Sequence, residues 1–188
     1  MIDISSFLPR QDIPLWIAID GHGGSGKSTL ANLLSQKFAA TTIHTDDFAS
    51  WENPFDWSDD IIDRVFEPVL SGMQTLSYPR SSWWEDHHPE PVADQAVTPL
   101  MIIEGVGSSR RELDPYLSLR LFVDTPEEIC LARGIARDLR TGKGEAKLQE
   151  IWRRWIAAEN AFYEKEHPRE RADVILDGTV PFAEQIAL

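Results

Sequence analysis

GHGGSGKSTL, Gly21 to Leu30, sets four glycines around one lysine and then runs into apolar residues. Gly21, Gly26, Lys27 and Ser28 satisfy the pattern G-x-x-x-x-G-K-[ST]. At average residue frequencies that pattern arises by accident in roughly one chain of this length in a hundred. Its surroundings sharpen it. LWIAI (Leu15 to Ile19), closed by Asp20, reads as a buried strand, and after Lys27 the residues Leu30, Leu33, Leu34 and Phe38 recur at helical spacing. A strand, a glycine turn and a helix, in that order, form the context a phosphate loop needs. Glycines let successive N–H groups turn inward, and the helix N-terminus adds its positive end. The expected nucleotide-binding residues are therefore Gly21, His22, Gly23, Gly24, Ser25, Gly26, Lys27, Ser28 and Thr29. Lys27 would reach the β- and γ-phosphates of ATP, and the Ser28 hydroxyl would ligate Mg²⁺.

Working outward, the 188 residues suit a single domain over 1–188, long enough to bury a sizeable core. Hydrophobic residues at 42% and charged ones at 26% fit a soluble globular chain. A formal charge of -13 argues against the basic surface that nucleic acid demands, though a few local cations suffice for a nucleotide. No apolar run approaches the roughly 20 residues that span a bilayer, and the N-terminus lacks a signal-peptide core. The expected partners are thus a small-molecule acceptor and ATP, with no nucleic acid and no membrane. The single cysteine, Cys130, excludes an internal disulfide, fits a cytoplasmic location and is expected as a small buried apolar residue.

Further strands are read at TTIH (Thr41 to His44), LMII (Leu100 to Ile103), LRLFV (Leu119 to Val123) and DVIL (Asp173 to Leu176). Between them lie a helix bounded by Ser58 and Gly72, a helix from TPEE to about Leu139, and a longer helix carrying Leu148, Ile151, Trp152, Trp155, Ile156 and Phe162 on one face. In TPEE, Thr125 is expected as N-cap, Pro126 at the first helical position and Glu128 closing a capping box. Tyr78 to Pro99, rich in Pro, Trp and His, reads as the one long irregular segment. Apolar strands alternating with amphipathic helices imply an α/β fold, a P-loop NTPase built as a three-layer sandwich on a five-stranded parallel sheet. Ligands then bind at the carboxyl ends of the strands. The first three strands end in GHGGSGKS, in TDD and in EG, so their polar residues converge there.

Phosphoryl transfer to a hydroxyl needs a carboxylate to take the proton and a metal to hold the phosphates. Asp46 and Asp47 leave the second strand in opposite directions, so one of them is expected in the site, with Asp46 preferred. Glu104 stands where the acid of a Walker B strand would hold Mg²⁺, with Ser28 and Asp46 as further metal candidates. LSGMQ (Leu70 to Gln74) differs by one residue from the signature of ABC ATPases, but here it closes a helix rather than opening one. No NKxD guanine-reading motif is present. His87 and His88 lack a third spaced partner for a metal. Arg153 and Arg154 lie among glutamates and read as solvated pairs.

Taken together, IDGHGGSGKSTLA, TDDF, IIEGV, NPFDW, LARGIARD and ADVILDG make the chain resemble the uridine kinase-like group of P-loop kinases, from about Trp16 to Gly178. That group includes nicotinamide riboside and pantothenate kinases. The resemblance implies that Asp46 is the general base, that Asp56 contacts the ribose hydroxyls, and that Arg133 and Arg137 stabilise charge on the transferring group. It implies a helical lid over about 133–147, with Arg140 and Lys143 as weaker phosphate contacts, and a substrate-binding segment over about 51–91. In that segment Tyr78, Arg80 and Trp83 are candidate substrate contacts. Where uridine-phosphorylating members commonly carry a Tyr-Asp pair, this chain has Ser81, Ser82 and Trp83. Trp83 and Trp84 could stack on a base or pack the loop. The implied activity is transfer of the γ-phosphate of ATP, with Mg²⁺, to a small alcohol. A nucleoside at its 5′-hydroxyl comes first, and a vitamin or sugar second. A slow regulatory ATPase is the other class.

Overall fold

The computed structural model describes residues 2–3, 14–83, 89–141 and 144–187. The strands are β1 (Ile2–Asp3), β2 (Leu15–Asp20), β3 (Thr41–His44), β4 (Thr75–Tyr78), β5 (Val92–Ala96), β6 (Leu100–Glu104), β7 (Leu119–Asp124), β8 (Val174–Asp177) and β9 (Ile186–Ala187). The helices are α1 (Lys27–Phe38), α2 (Ser58–Ile61), α3 (Glu67–Leu70), α4 (Glu127–Asp138), α5 (Glu145–Glu166), α6 (Pro168–Arg171) and α7 (Phe182–Gln185). Trp84, His87, His88 and Lys143 lie outside the described residues.

Five strands form one parallel sheet in the order β3-β6-β2-β7-β8, the expected α/β P-loop arrangement. The near-continuous apolar runs follow from burial on both faces. Ile17 and Ile19 of β2 point into one core layer with Leu30 and Leu34 of α1, Leu121 and Leu176. Trp16 and Ala18 point into the other, with Ile43, Ile61, Phe66, Met101 and Ile103. Each large side chain buried this way stabilises by about 1.5–3 kcal/mol, so Leu34→Ala at the heart of the first layer would cost about 2–5 kcal/mol. Because β2 lies between β6 and β7 with Ile19 paired to Glu104, the phosphate loop emerges beside the end of β6. His44 is paired with Glu104 from the other side. The sheet register therefore fixes which polar residues meet.

Three local expectations need correction. Tyr78 to Pro99 is not wholly irregular: β5 pairs antiparallel with β4, and its Gln95 amide donates to the Thr42 carbonyl of β3 at 3.0 Å. VADQA lacks the apolar alternation that would have announced a strand. The TPEE capping box does not form. The helix starts at Glu127 with Pro126 at the cap position and no side-chain cap, and the Thr125 hydroxyl donates to the Ser25 carbonyl of the phosphate loop at 2.9 Å. Finally, the helix after Ser58 is not uniform. A π-helical stretch, Ile62–Phe66, separates α2 from α3. Pro68 has no N–H to offer the Arg64 carbonyl, which opens the ladder there. Gly72 closes this helix at φ +89°, so LSGMQ sits at a helix end as read. No helix among the described residues is long and apolar enough to cross a membrane.

Candidate active site

The loop between β2 and α1 is built from its own backbone. Gly24 lies at φ +84°, and a Cβ there would run into the Cys130 carbonyl, so only glycine fits. The His22 carbonyl accepts from the Ser25 N–H at 3.0 Å and from Lys27 Nζ at 2.8 Å, which folds the loop around the buried ammonium. Among the described residues, no hydrogen bond engages the amides of Gly24, Gly26, Lys27 or Ser28. Four such N–H groups at a helix start, beside an ammonium, make an anion cradle.

Across from this cradle lie the ends of β3 and β6. The Ser28 hydroxyl donates to Glu104 Oε1 at 3.1 Å, and His44 Nδ1 lies 2.8 Å from Glu104 Oε2. Burial works to raise the Glu104 carboxyl, but the His44 hydrogen bond and the charge of Lys27 outweigh it and hold it below the ordinary range. The same hydrogen bond raises His44. Asp46 is open to the cleft's solvent yet enclosed by surrounding protein. That enclosure, and then the Glu104 charge, raise its carboxyl above the usual range against the pull of Lys27 and Arg137.

Asp47 behaves differently from its neighbour. It is buried, accepts from Arg80 Nε at 2.6 Å and from the Tyr78 hydroxyl at 3.4 Å, and its carbonyl accepts from the Ser81 N–H. Asp47 thus holds Arg80, whose half-exposed guanidinium reaches the cleft.

Lys27, Ser28, His44, Asp46, Asp47, Arg80 and Glu104 border one cleft of about 700 Å³, lined also by Arg133, Arg137 and four tryptophans, Trp51, Trp83, Trp152 and Trp155. Arg133 Nη1 donates to the Gly178 carbonyl at 3.0 Å, while Arg137 Nε donates to Asp138 Oδ1 at 2.9 Å and its guanidinium lies over the Trp152 ring. Trp83 and Trp155 stand edge to face with centroids 4.7 Å apart, and Phe55 and Phe162 stack behind Trp155. Arg154, read as a solvated partner of glutamate, lies over Trp51 instead.

Of the nucleotide-loop residues, Gly23, Gly24, Gly26, Lys27, Ser28 and Thr29 border the cleft; Gly21, His22 and Ser25 do not. Gly21 gives its N–H to Asp20, and the His22 ring turns to Glu159. Asp46, Glu104, Arg80, Trp83, Arg133 and Arg137 also border it. Asp56 and Tyr78 are not among the residues that line it. The Asn53 side chain bonds both the N–H and the carbonyl of Asp56, closing a turn that leaves Asp56 exposed at the edge. Tyr78 is buried and acts on Asp47.

Sequence reading missed two buried carboxylates. Asp20 collects the N–H groups of Gly21, Gly107 and Ser109 and the hydroxyls of Ser109 and Tyr163. Glu159 accepts from Gly23 N–H at 3.1 Å. The signal for Glu159 was an acid in the apolar stripe of α5, spaced from Trp152 and Ile156 as a further core residue would be.

Among the described residues, no three His, Cys, Asp or Glu side chains converge as an all-protein metal cage. Mg²⁺ does not require one, since it binds through one or two carboxylates together with substrate phosphates and water. Ser28 Oγ and Glu104 Oε1, hard oxygens joined across the cradle's mouth, fit that role.

No family model matches the chain. A uridine kinase of Borrelia duttonii (strain Ly) is 23% identical over 176 residues, covering 85% of this chain and 84% of that protein. A uridine kinase of Clostridium novyi (strain NT) is 26% identical over 144 residues, covering 68% and 69%. Among solved structures, a possible uridine kinase from Bacillus stearothermophilus superposes with a TM-score of 0.65 at 23% identity, over 92% of this chain and 94% of that one. A proposed fructose transport system kinase from Silicibacter sp. TM1040 gives 0.66 at 23%, over 92% and 95%. Sheet order, phosphate loop and structural neighbours define the class of fold, an α/β P-loop NTPase. Within it, the curated relatives and structural neighbours support the uridine kinase-like family.

Proposed function

We propose that this protein transfers the γ-phosphate of ATP to the hydroxyl of a small molecule, with the 5′-hydroxyl of a nucleoside as first candidate. The observation that carries the reading is the Ser28–Glu104 hydrogen bond. It joins the anion cradle to the end of β6, while Asp46 borders the same cleft. The cradle amides and Lys27 hold the β- and γ-phosphates, and Ser28 and Glu104, with Asp46 nearby, hold Mg²⁺. The metal, when bound, neutralises phosphate charge. Asp46 takes the acceptor's hydroxyl proton as that oxygen bonds to the γ-phosphorus. The bond from phosphorus to the bridging oxygen breaks, and ADP leaves with the electron pair. A carboxyl raised toward neutrality is a better base for an alcohol than an ordinary one. Arg133 and Arg137 offset the charge that moves to the leaving group. The segment 133–147 acts as the lid of a single kinase domain.

The tryptophan wall supports a flat acceptor, since rings stack on such faces. Arg80, held by Asp47, faces the same space. The deciding experiment is a coupled ADP-release screen with Mg-ATP across nucleosides, vitamins such as pantothenate and nicotinamide riboside, and sugars. A nucleoside should accelerate release most. If no acceptor raises release above the slow background, the protein is a nucleotide-dependent regulatory ATPase instead.

A further inference from the structure

Helix α5 carries Trp155 to the cleft, but two of its other residues face the root of the phosphate loop. Glu159 is fully buried at 0% exposure. Its Oε1 accepts from the Gly23 N–H at 3.1 Å, and its Oε2 lies 2.9 Å from Nδ1 of His22. One turn further on, the Tyr163 hydroxyl donates to Asp20 Oδ1 at 2.6 Å, and that same oxygen accepts the Gly21 N–H. The helix thus grips both the strand end before the loop and the loop's first bend.

A carboxylate taken out of water is costly unless hydrogen bonds replace its hydration. Among the described residues no lysine or arginine pairs with Glu159, and its hydrogen-bond partners both belong to the phosphate loop. Packing alone would be served by an apolar side chain, as at Trp152 and Ile156 on the same stripe. The contact is also tight. A Cβ at Gly23 would lie 3.0 Å from Glu159 Oε1 and 3.0 Å from the Trp152 ring, so that glycine answers to α5.

We propose that Glu159 is a positioning residue for nucleotide binding, its buried carboxylate fixing the His22–Gly23 bend so that the following amides and Lys27 face the phosphates together. Two bonds transmit this. The Gly23 N–H is committed to Glu159, which sets the bend's direction. The His22 carbonyl, set by that bend, receives both Ser25 N–H and Lys27 Nζ. The inference rests on the kinase reading above in one respect only, that the loop binds Mg-ATP.

The test replaces Glu159 with Met, which fills similar volume without accepting a hydrogen bond, and with Gln, whose oxygen still accepts the Gly23 N–H. Mg-ATP affinity is measured by calorimetry, without any acceptor, well below each variant's melting midpoint. E159M should fold, with a midpoint lowered by the unpaired Gly23 N–H, and bind Mg-ATP at least tenfold more weakly, whereas E159Q should stay within about threefold. Glu159→Leu serves as a second apolar variant should E159M not fold. Leu148→Ala, which loosens α5 without touching the loop, should lower the midpoint and leave affinity unchanged. Wild-type affinity in the apolar variants, equal losses in E159M and E159Q, or a matching loss in L148A would each overturn the proposal while leaving the kinase reading intact. Failure of the wild type itself to bind Mg-ATP would remove both.

Discussion

Asp46 and Asp47 are chain neighbours in one tight turn, yet their surroundings divide the labour between them. Asp46 is open to the cleft and holds no hydrogen bond among the described residues, so its replacement disturbs little of the fold. Asp46→Asn should leave Mg-ATP affinity and the melting midpoint nearly unchanged while lowering turnover by roughly 10²–10⁴-fold, the usual worth of a positioned base. Equal turnover would take Asp46 out of that role. Its raised carboxyl also sets a pH sign. The base works ionised, so kcat/KM should fall as pH drops through a midpoint above the ordinary aspartate value of about 4. A limb at the ordinary value would show that another group governs. Asp47→Ala, by contrast, unpairs Arg80 and Tyr78. Discounted for the exposure of Arg80, it should cost about 1–3 kcal/mol and several degrees of melting midpoint. That the phosphate loop, Asp46 and Glu104 would converge was legible beforehand because each lies at or shortly after the end of a neighbouring strand. Asp47's grip on Arg80 and Glu159's on Gly23 were not, since those pairs lie 33 and 136 residues apart and only the packed structure joins them.

At the scale of elements, α4 and α5 meet where Gly134 faces the Trp152 indole. A glycine inside a helix normally weakens it by about 1 kcal/mol relative to alanine, so propensity alone favours Gly134→Ala. Here a Cβ would enter the space of the Trp152 ring, and overpacking of that kind costs about 1–3 kcal/mol. The steric term should win, and G134A should lower the thermal midpoint. A raised midpoint would mean the helices separate freely. The same pair of helices shows what patterning does and does not reveal. The periodicity of Leu148, Trp152 and Ile156 announced α5, and five apolar runs announced the parallel sheet, because burial leaves a period in the sequence. β5 left none, being short and nowhere fully buried. The Thr125 cap failed for a related reason. Its hydroxyl serves the Ser25 carbonyl, 100 residues away in sequence, a contact that no local pattern announces.

For the whole molecule, Cys130 offers a gauge of how nucleotide binding and folding are linked. It is the chain's single cysteine and fully buried, on α4 against the phosphate loop, where its carbonyl meets Gly24. Burial pushes its thiol up to about 11, so at neutral pH little thiolate exists and none of it is accessible without opening. Alkylation of the native protein should therefore be slow and should accelerate with denaturant in step with global unfolding, since the groups around Cys130 belong to the core and to the loop together. On the proposed function, Mg-ATP binds the folded state and not the opened one. At a concentration 100 times its dissociation constant it adds about 2.7 kcal/mol, which should slow alkylation by roughly a hundredfold. Rapid alkylation insensitive to denaturant would place Cys130 on a locally opening α4. Slow alkylation that tracks unfolding but ignores Mg-ATP would mean that the loop beside Cys130 does not hold the nucleotide.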